Sequence, residues 1–481
     1  MSGTVAIVGG GISGLATAYF LQEEARRRGQ TVNCTLLERE QRLGGKTLTE
    51  KVEGCVIETG PDSFLTLKPQ AVDLCERLGL SDLLTGMDPA RSRVYILCEG
   101  KLRKVPDGLA SIVPTKLTPF LTTDLLTPWG KARMLLDVFV PPKRDGVDES
   151  LASFIRRRLG SEALERIAEP LMAGIYAGDA EQLSMLTNFP RLVELELNHR
   201  SLVTGALAKR REAAHDPGRT SGRPTFMTLR GGLGVMVEAL ASQLKGVSIL
   251  TGRKVVALRG EGPYELELED ATVLGADTVV VATPAYVSAD LLRESNPRVA
   301  AVLDSIPYVS TATVSLAYDR SSFSNPLDGS GFVVAPIENR RVTACTWVSS
   351  KWPSHSPPDR VLLRCFLGRA GDEELLHRGD DELCRIAQDE IKSILHVSAE
   401  PVLKRVHRCD RSLPQYVLGH MEKLTALDEG MSGLPGVFLT GAAFRGVGLP
   451  DCIKQAALAA KKALDFITMV DTGISGGTAS R

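Results

Sequence analysis

A glycine-rich turn close to the start of the chain limits its fold more than any other feature. The stretch VAIVGGGISGLATAY, residues 5–19, passes from an apolar strand through Gly9-x-Gly11-x-x-Gly14 into an Ala- and Leu-rich helix. In such a turn the first glycine permits the bend, the second lets a pyrophosphate approach the backbone, and the third lets helix and strand pack closely. The helix start, with Ser13 in it, offers unpaired N–H groups and positive potential to an anion. A second apolar run, VNCTLLE at 32–38, ends in Glu38 and is followed by Arg39. An acid at the end of the second strand suits the ribose hydroxyls of an adenine dinucleotide. The β–turn–α–β unit therefore predicts a Rossmann-like parallel sheet and a dinucleotide site. NAD and FAD both satisfy the turn.

The rest of the chain must be organised around that unit. With 481 residues, 43% of them hydrophobic, it has material for two or three domains and a large core. A formal charge of −1 leaves no basic excess for nucleic acid. No run of eighteen apolar residues is present, and no basic-then-apolar leader precedes the first strand, so a cytoplasmic protein is expected. The nine cysteines include no CxxC pair and read as reduced, mostly buried thiols rather than metal ligands.

The pattern along the chain is discontinuous. Residues 1–88 supply the first part of the dinucleotide domain, 216–288 a second part and 426–470 the last. Between them stand a mainly helical segment, 89–215, and a β-rich segment, 289–425. Polar residues 214–224 read as an exposed loop and 471–481 as a flexible tail. The fold class is thus α/β plus α+β. Near the far end, TGAAFRGVGLPDCIKQA, residues 440–456, repeats the strand–glycine turn–helix signal. Gly441 relaxes the strand end, Gly448 permits a close approach, and Leu449-Pro450 opens the helix. This reads as the other end of one elongated cofactor site. Its helix N-terminus could serve either a reduced cofactor ring or the phosphates.

After Glu38-Arg39 comes RLGGKT, residues 42–47, which resembles the flavoenzyme pattern in which Gly44-Gly45 and a basic residue approach a flavin dinucleotide; here the basic residue is Lys46. Further stretches carry a narrower resemblance: GPDSFLTLK at 60–68, GIYAGD at 174–179, TLRGGLGVM at 228–236, LPQYVLGH at 413–420 and FRGVGLPDCI at 444–453. Together the chain resembles the flavin amine oxidase superfamily. Within it, the chain is similar to oxygen-dependent protoporphyrinogen oxidases and bacterial coproporphyrinogen III oxidases.

The resemblance implies one non-covalent FAD per chain, held by a discontinuous Rossmann-like domain, with a β-rich substrate domain and a helical domain that associates with a membrane surface. It implies six-electron oxidation of a porphyrinogen to a porphyrin, with three O2 reduced to three H2O2. Flavin N5 would be the hydride acceptor, so no catalytic side chain and no metal is assigned. The implied cofactor contacts are Gly9, Gly11, Ser13, Gly14, Glu38, Arg39, Gly44, Gly45, Lys46, Gly60, Pro61, Asp62, Val255, Gly441, Gly448 and Leu449. The implied substrate contacts are Lys68, as a propionate anchor, with Gly174, Ile175 and Tyr176. Tyr416 and His420 read as structural.

Partners implied are the porphyrinogen, O2, and ferrochelatase or another haem-pathway enzyme, in a monomer or homodimer. Residues 105–140 mix Leu, Phe, Trp129 and a few cations. They read equally as a membrane-surface segment or as a core-facing helical insert. The alternatives are a flavin oxidase acting on another substrate and a non-enzymatic FAD-binding protein.

Overall fold

The computed structural model describes residues 3–110, 112–215, 223–323 and 326–471. Most of the expected polar loop at 214–224, and the expected tail beyond 471, lie outside these residues.

The first strand, Gly3–Val8, is the centre of a five-stranded parallel sheet. In order across the sheet the strands are Val247–Thr251, Val32–Glu38, Gly3–Val8, Thr278–Val281 and Val437–Leu439. Val5 stands opposite Cys34 on one side and Thr278 on the other. Three distant stretches of chain therefore build one sheet.

From Val5 to Val8 the central strand is apolar and buried because both its faces are covered. Val5 and Ile7 face a core shared with helices Ile12–Arg28 and Leu449–Asp471. Ala6 and Val8 face the other side, against the antiparallel strands Val255–Arg259, Tyr264–Leu268 and Val273–Ala276. Helix Ile12–Arg28 ends at Gly29, with Arg26, Arg27 and Arg28 in its last turn, where cations suit the helix dipole.

The β-rich part is a seven-stranded sheet. Its order is Leu403–Pro414, Tyr308–Asp319, Arg360–Leu367, Val342–Trp347, Gly331–Val334, Val94–Cys98 and Lys101–Lys104. One face packs on helix Asp380–Leu395, through Val314, Leu316, Leu363 and Cys365 against Leu383, Ala387 and Ile391. Residues of opposite parity, such as Ser315 and its direct partner Arg364, point the other way. That second face covers the 55–62 segment.

Two placements differ from the sequence expectation. Val94–Cys98 and Lys101–Lys104 fall in the stretch read as mainly helical, yet they form an edge of the seven-stranded sheet, Val94–Cys98 running parallel to Gly331–Val334. Helices Ala285–Leu292, Pro297–Asp304 and His420–Met431 pack on the parallel-sheet side instead of with the β-rich segment. The reason is apolar: Leu291, Leu292, Val299, Leu303 and Leu424 share a core with Val279 and Val281.

The helical part, largely within residues 117–206, has its own core and a buried charge at its centre. Arg158 is fully buried, with Nη2 at 2.5 Å from Asp137 Oδ1 and donors on the carbonyls of Val140 and Arg200. The other Asp137 oxygen accepts from Ser201 Oγ and the Val203 N–H. Removing one partner of such a pair leaves an uncompensated buried charge. Asp137→Ala is therefore expected to lower the unfolding free energy by about 3–5 kcal/mol, read from urea denaturation followed by far-UV circular dichroism.

Candidate active site

The site begins at the carboxyl end of the central strand. A Cβ on Gly14 would stand 1.8 Å from the Gly9 carbonyl oxygen, so only glycine lets this helix approach its strand. A Cβ on Gly11 would meet nothing nearer than Gly45 Cα, at 3.9 Å, so the space beside it is open. The Gly44–Gly45 turn lies directly against this first turn: the Gly44 N–H donates to the Gly10 carbonyl at 2.8 Å, and Gly45 adopts φ 55°.

Glu38 is buried next to them. Its carboxylate accepts from the Gly10 N–H at 2.7 Å and the Glu40 N–H at 2.9 Å. These bonds orient the carboxylate and leave lone pairs for a diol. The Arg253 N–H donates to the Glu38 carbonyl, which brings the buried Val255 alongside. Arg39 is not drawn in: it is exposed and pairs with Glu40.

The terminal turn closes the same space. A Cβ on Gly441 would face only Ser13 Oγ, at 3.8 Å, so the two ends of the chain meet here. The Tyr416 hydroxyl donates to the Ala442 carbonyl at 2.7 Å and accepts from the Gly446 N–H at 2.8 Å, pinning the turn. His420 stacks on Tyr416 at 4.1 Å, and its Nε2 lies 3.1 Å from the Phe444 carbonyl. Both residues serve structure. Gly448 precedes the long C-terminal helix, while the Leu449 side chain is buried in the core under it. Open space beside Gly11 and Gly441, the oriented Glu38 carboxylate and a helix N-terminus together fit a bound dinucleotide.

Lys46 follows the Gly44–Gly45 turn of this cradle. The Lys46 side chain reaches solvent yet is crowded by Ser412 and Tyr308. Its Nζ donates to the Ser412 carbonyl and lies 5.6 Å from the Tyr308 ring centroid. Desolvation pushes its ammonium down to about 8. The Tyr308 hydroxyl accepts from the Ala285 N–H at 2.8 Å. A cavity of about 190 Å³ opens beside Tyr308 and Gln415.

Among the expected substrate contacts, Lys68 and Tyr176 converge on Asp451. Lys68 Nζ lies 2.7 Å from both Asp451 carboxylate oxygens. Burial, with Asp451 adding, pushes the Tyr176 hydroxyl up to about 12. The Tyr176 carbonyl accepts from Gln415 Nε2 at 2.9 Å. Gly174 lies in the helix Glu169–Tyr176, and Ile175 is 63% exposed.

The 60–62 turn is held from the β-rich sheet. The Thr59 and Gly60 carbonyls accept from Arg364 Nη2 at 3.1 and 2.8 Å. A Cβ on Gly60 would lie 2.0 Å from the Lys46 carbonyl oxygen, so this turn packs on the Lys46 backbone. The Asp62 carboxylate, after Pro61, accepts from Lys351 Nζ at 2.7 Å and Ser63 Oγ at 2.7 Å. Burial would raise Asp62, but Lys351 and Arg364 outweigh it and hold the carboxyl well below its ordinary range. The Asp62 side chain thus joins two parts of the fold and is engaged away from the Gly9–Gly14 cradle.

Asp451, Tyr308, Arg364 and Glu58 were not among the expected site residues. Asp451 carried a signal, an acid in the first turn of a glycine-preceded helix. Arg364 carried another, a lone charge inside the apolar run RVLLRCFLG.

The family model for flavin-containing amine oxidoreductases matches residues 12–464. The chain belongs to this family. It is an oxidoreductase of a flavin-containing family. It is 38% identical over 465 residues to a coproporphyrinogen III oxidase of Bacillus subtilis, covering 96% of this chain and 98% of that one. It is 30% identical to the chloroplastic protoporphyrinogen oxidase 1 of Arabidopsis thaliana, over 96% of this chain and 88% of that one. A crystal structure from Exiguobacterium sp. 255-15, provisionally named as a protoporphyrinogen oxidase, superposes with a TM-score of 0.85 at 33% identity, covering 97% of this chain and 99% of that one. The family's bound flavin supplies a hydride acceptor.

Gly14→Ala is expected to yield folded protein without flavin, read from the ratio of visible to ultraviolet absorbance after purification. Retention of a full flavin complement would contradict the close-packing argument. Glu58, which accepts from the Leu233 N–H and Thr49 Oγ1, is lifted from 4.5 to about 7, chiefly by burial. Between those pH values the folded state holds the extra proton, so stability falls as pH rises through the window. Glu58→Gln should remove that fall, measured as the difference in urea midpoint between pH 5 and pH 8.

Proposed function

We propose that the protein oxidises a porphyrinogen to the corresponding porphyrin in haem biosynthesis, with coproporphyrinogen III the leading substrate and protoporphyrinogen IX the second. The end-to-end match to the Bacillus subtilis coproporphyrinogen III oxidase carries this reading. A non-covalent FAD, one per chain, would supply the hydride acceptor between the porphyrinogen and O2, with H2O2 as the reduced product. The chain's own residues bind and orient. The Lys68 ammonium is 43% exposed and has three N–H donors, enough to hold Asp451 and a substrate propionate together. Ile175 and the Tyr176 ring offer apolar surface to a tetrapyrrole. Gln415 and Phe189 steady Tyr176, the latter edge-on at 5.7 Å between ring centroids.

The setting follows from the same reading. We place the protein in the cytoplasm, with its helical part resting on a membrane surface. Trp129 and Phe139 are 85% and 80% exposed, and Leu117, Leu121 and Leu136 are exposed in the same stretch, with Lys116 and Lys131 nearby. No described helix is long and apolar enough to cross a membrane. The next enzyme of the pathway, a ferrochelatase where the product is protoporphyrin, would receive the porphyrin.

The test is an anaerobic preparation of the holoenzyme given each porphyrinogen in parallel, followed by oxygen. Porphyrin fluorescence and peroxide should rise together, faster with coproporphyrinogen III. No enzyme-dependent porphyrin from either substrate would overturn the reading. Lys68→Ala should raise KM by about tenfold, the loss of one charge-assisted contact. An unchanged KM for both substrates would remove Lys68 from the binding site.

A further inference from the structure

A small cavity of about 10 Å³, room for one water, lies between the 56–62 segment and the seven-stranded sheet. Glu58, Asp62, Ser315, His355 and Arg364 are among its walls. Two of these carry a buried polar atom without a hydrogen-bond partner: His355 Nε2 and Arg364 Nε. The residues are 1% and 4% exposed, so bulk water does not satisfy them. The other ring nitrogen of His355, Nδ1, already has Ser354 Oγ at 3.3 Å. Buried polar groups left in this state are ordinarily bridged by an internal water.

The charges around the cavity are balanced. Glu58 and Asp62 face Arg364 and Lys351. One step further, Glu50 meets Arg405 Nε at 2.9 Å and His407 Nε2 at 3.0 Å. Three carboxylates therefore stand among three obligate cations. The two histidines are pushed down, chiefly by burial, His355 to about 4. Lys351 and Arg364 hold Asp62 ionised. Glu58 differs from Asp62, because its burial outweighs its stabilising bonds.

A short series of contacts links the cavity to the cofactor cradle. Arg364 is one of the cavity walls and has an unpartnered Nε, and its Nη2 holds the Thr59 and Gly60 carbonyls. Gly60 packs in turn on the backbone of Lys46, two residues past Gly44 of the cradle. A change of charge at the cradle would reach the cluster through these packed segments, since electrostatic coupling is stronger away from water.

We propose that the cavity binds one water molecule, held by His355 Nε2, Arg364 Nε and the Glu58 carboxylate, and that Glu58 takes up one proton when negative charge is added to the adjoining flavin site. The proton comes from solvent and returns when the charge leaves, and no covalent bond to carbon changes. Protonation of Glu58 gives the cluster one net positive charge, which opposes the added anion. Thr49 Oγ1 and the Leu233 N–H hold the carboxyl in place during the exchange.

The experiment uses the FAD-loaded protein with flavin content fixed by absorbance. Anaerobic two-electron reduction near pH 7 in weak buffer, followed with a pH indicator, should take up more protons per flavin in wild type than in Glu58→Gln, by up to one. The reduced-minus-oxidised infrared difference spectrum should show a protonated-carboxyl C=O band that Glu58→Gln abolishes. Equal proton uptake and an unaltered spectrum overturn the proton site. His355→Phe, which takes up cavity space but leaves the direct Glu58 bonds in place, should shift that band; an unmoved band overturns the water bridge. A high-resolution crystal structure with water density within hydrogen-bond reach of His355 Nε2 supports the proposal, and a dry cavity refutes the water. Loss of flavin from Glu58→Gln would leave the His355→Phe spectrum and the crystal structure to decide.

Discussion

The contact between Gly14 and the carbonyl of Gly9 fixes how the first helix leaves the first strand, and the rest of the site is arranged around that angle. It brings the backbone of residues 9–11 to the surface as a cradle. The Gly44–Gly45 turn can then lie against it, and Glu38 can accept from the Gly10 N–H. The long C-terminal helix packs beside the same first helix, so the terminal turn arrives opposite Ser13. A side chain at Gly14 would widen the helix–strand gap and loosen each of these neighbours in turn.

Charge, placed sparingly, joins the parts that hydrophobic packing builds separately. Asp62–Lys351 and the Arg364 donors connect the first stretch of the chain to the β-rich sheet. Lys68–Asp451 connects that stretch to the C-terminal helix. These groups are wholly or partly withdrawn from water, so their value lies less in net stability than in defining one relative position. A cleft bounded by several chain segments needs such markers, because apolar surfaces alone slide.

The Rossmann-like unit was legible in the sequence because its chemistry is local: a turn, a helix start and an acid at a strand end all lie within residues 5–38. The β-rich character of 289–425 was also readable, though the pairing of its strands was not. Val94–Cys98 had the composition of a strand, but nothing near it in sequence says that its neighbour is Gly331–Val334. The same limit explains the helices at 285–304, whose apolar stripes fit either sheet and are assigned only by tertiary packing. Lys68 could be singled out by its motif and Asp451 by its place in a first helical turn, but their pairing could not, since it spans almost the whole chain. Lone charges such as Arg364 within apolar runs are the one long-range signal that a sequence reader could have used.

The Tyr416 hydroxyl that ties Ala442 to Gly446 has a consequence for how the protein matures. The turn it secures forms one side of the cofactor cradle, and the strand beside it pairs with Thr278–Val281. Residues 3–38 leave the ribosome long before residues 437–471 do. The parallel sheet consequently waits, with an open edge, for a distant segment to complete it, a topology that makes for slow closure. Cofactor capture is then a late event in biogenesis, and the growing chain has an interval in which its nucleotide cradle is half built and dependent on protection from aggregation.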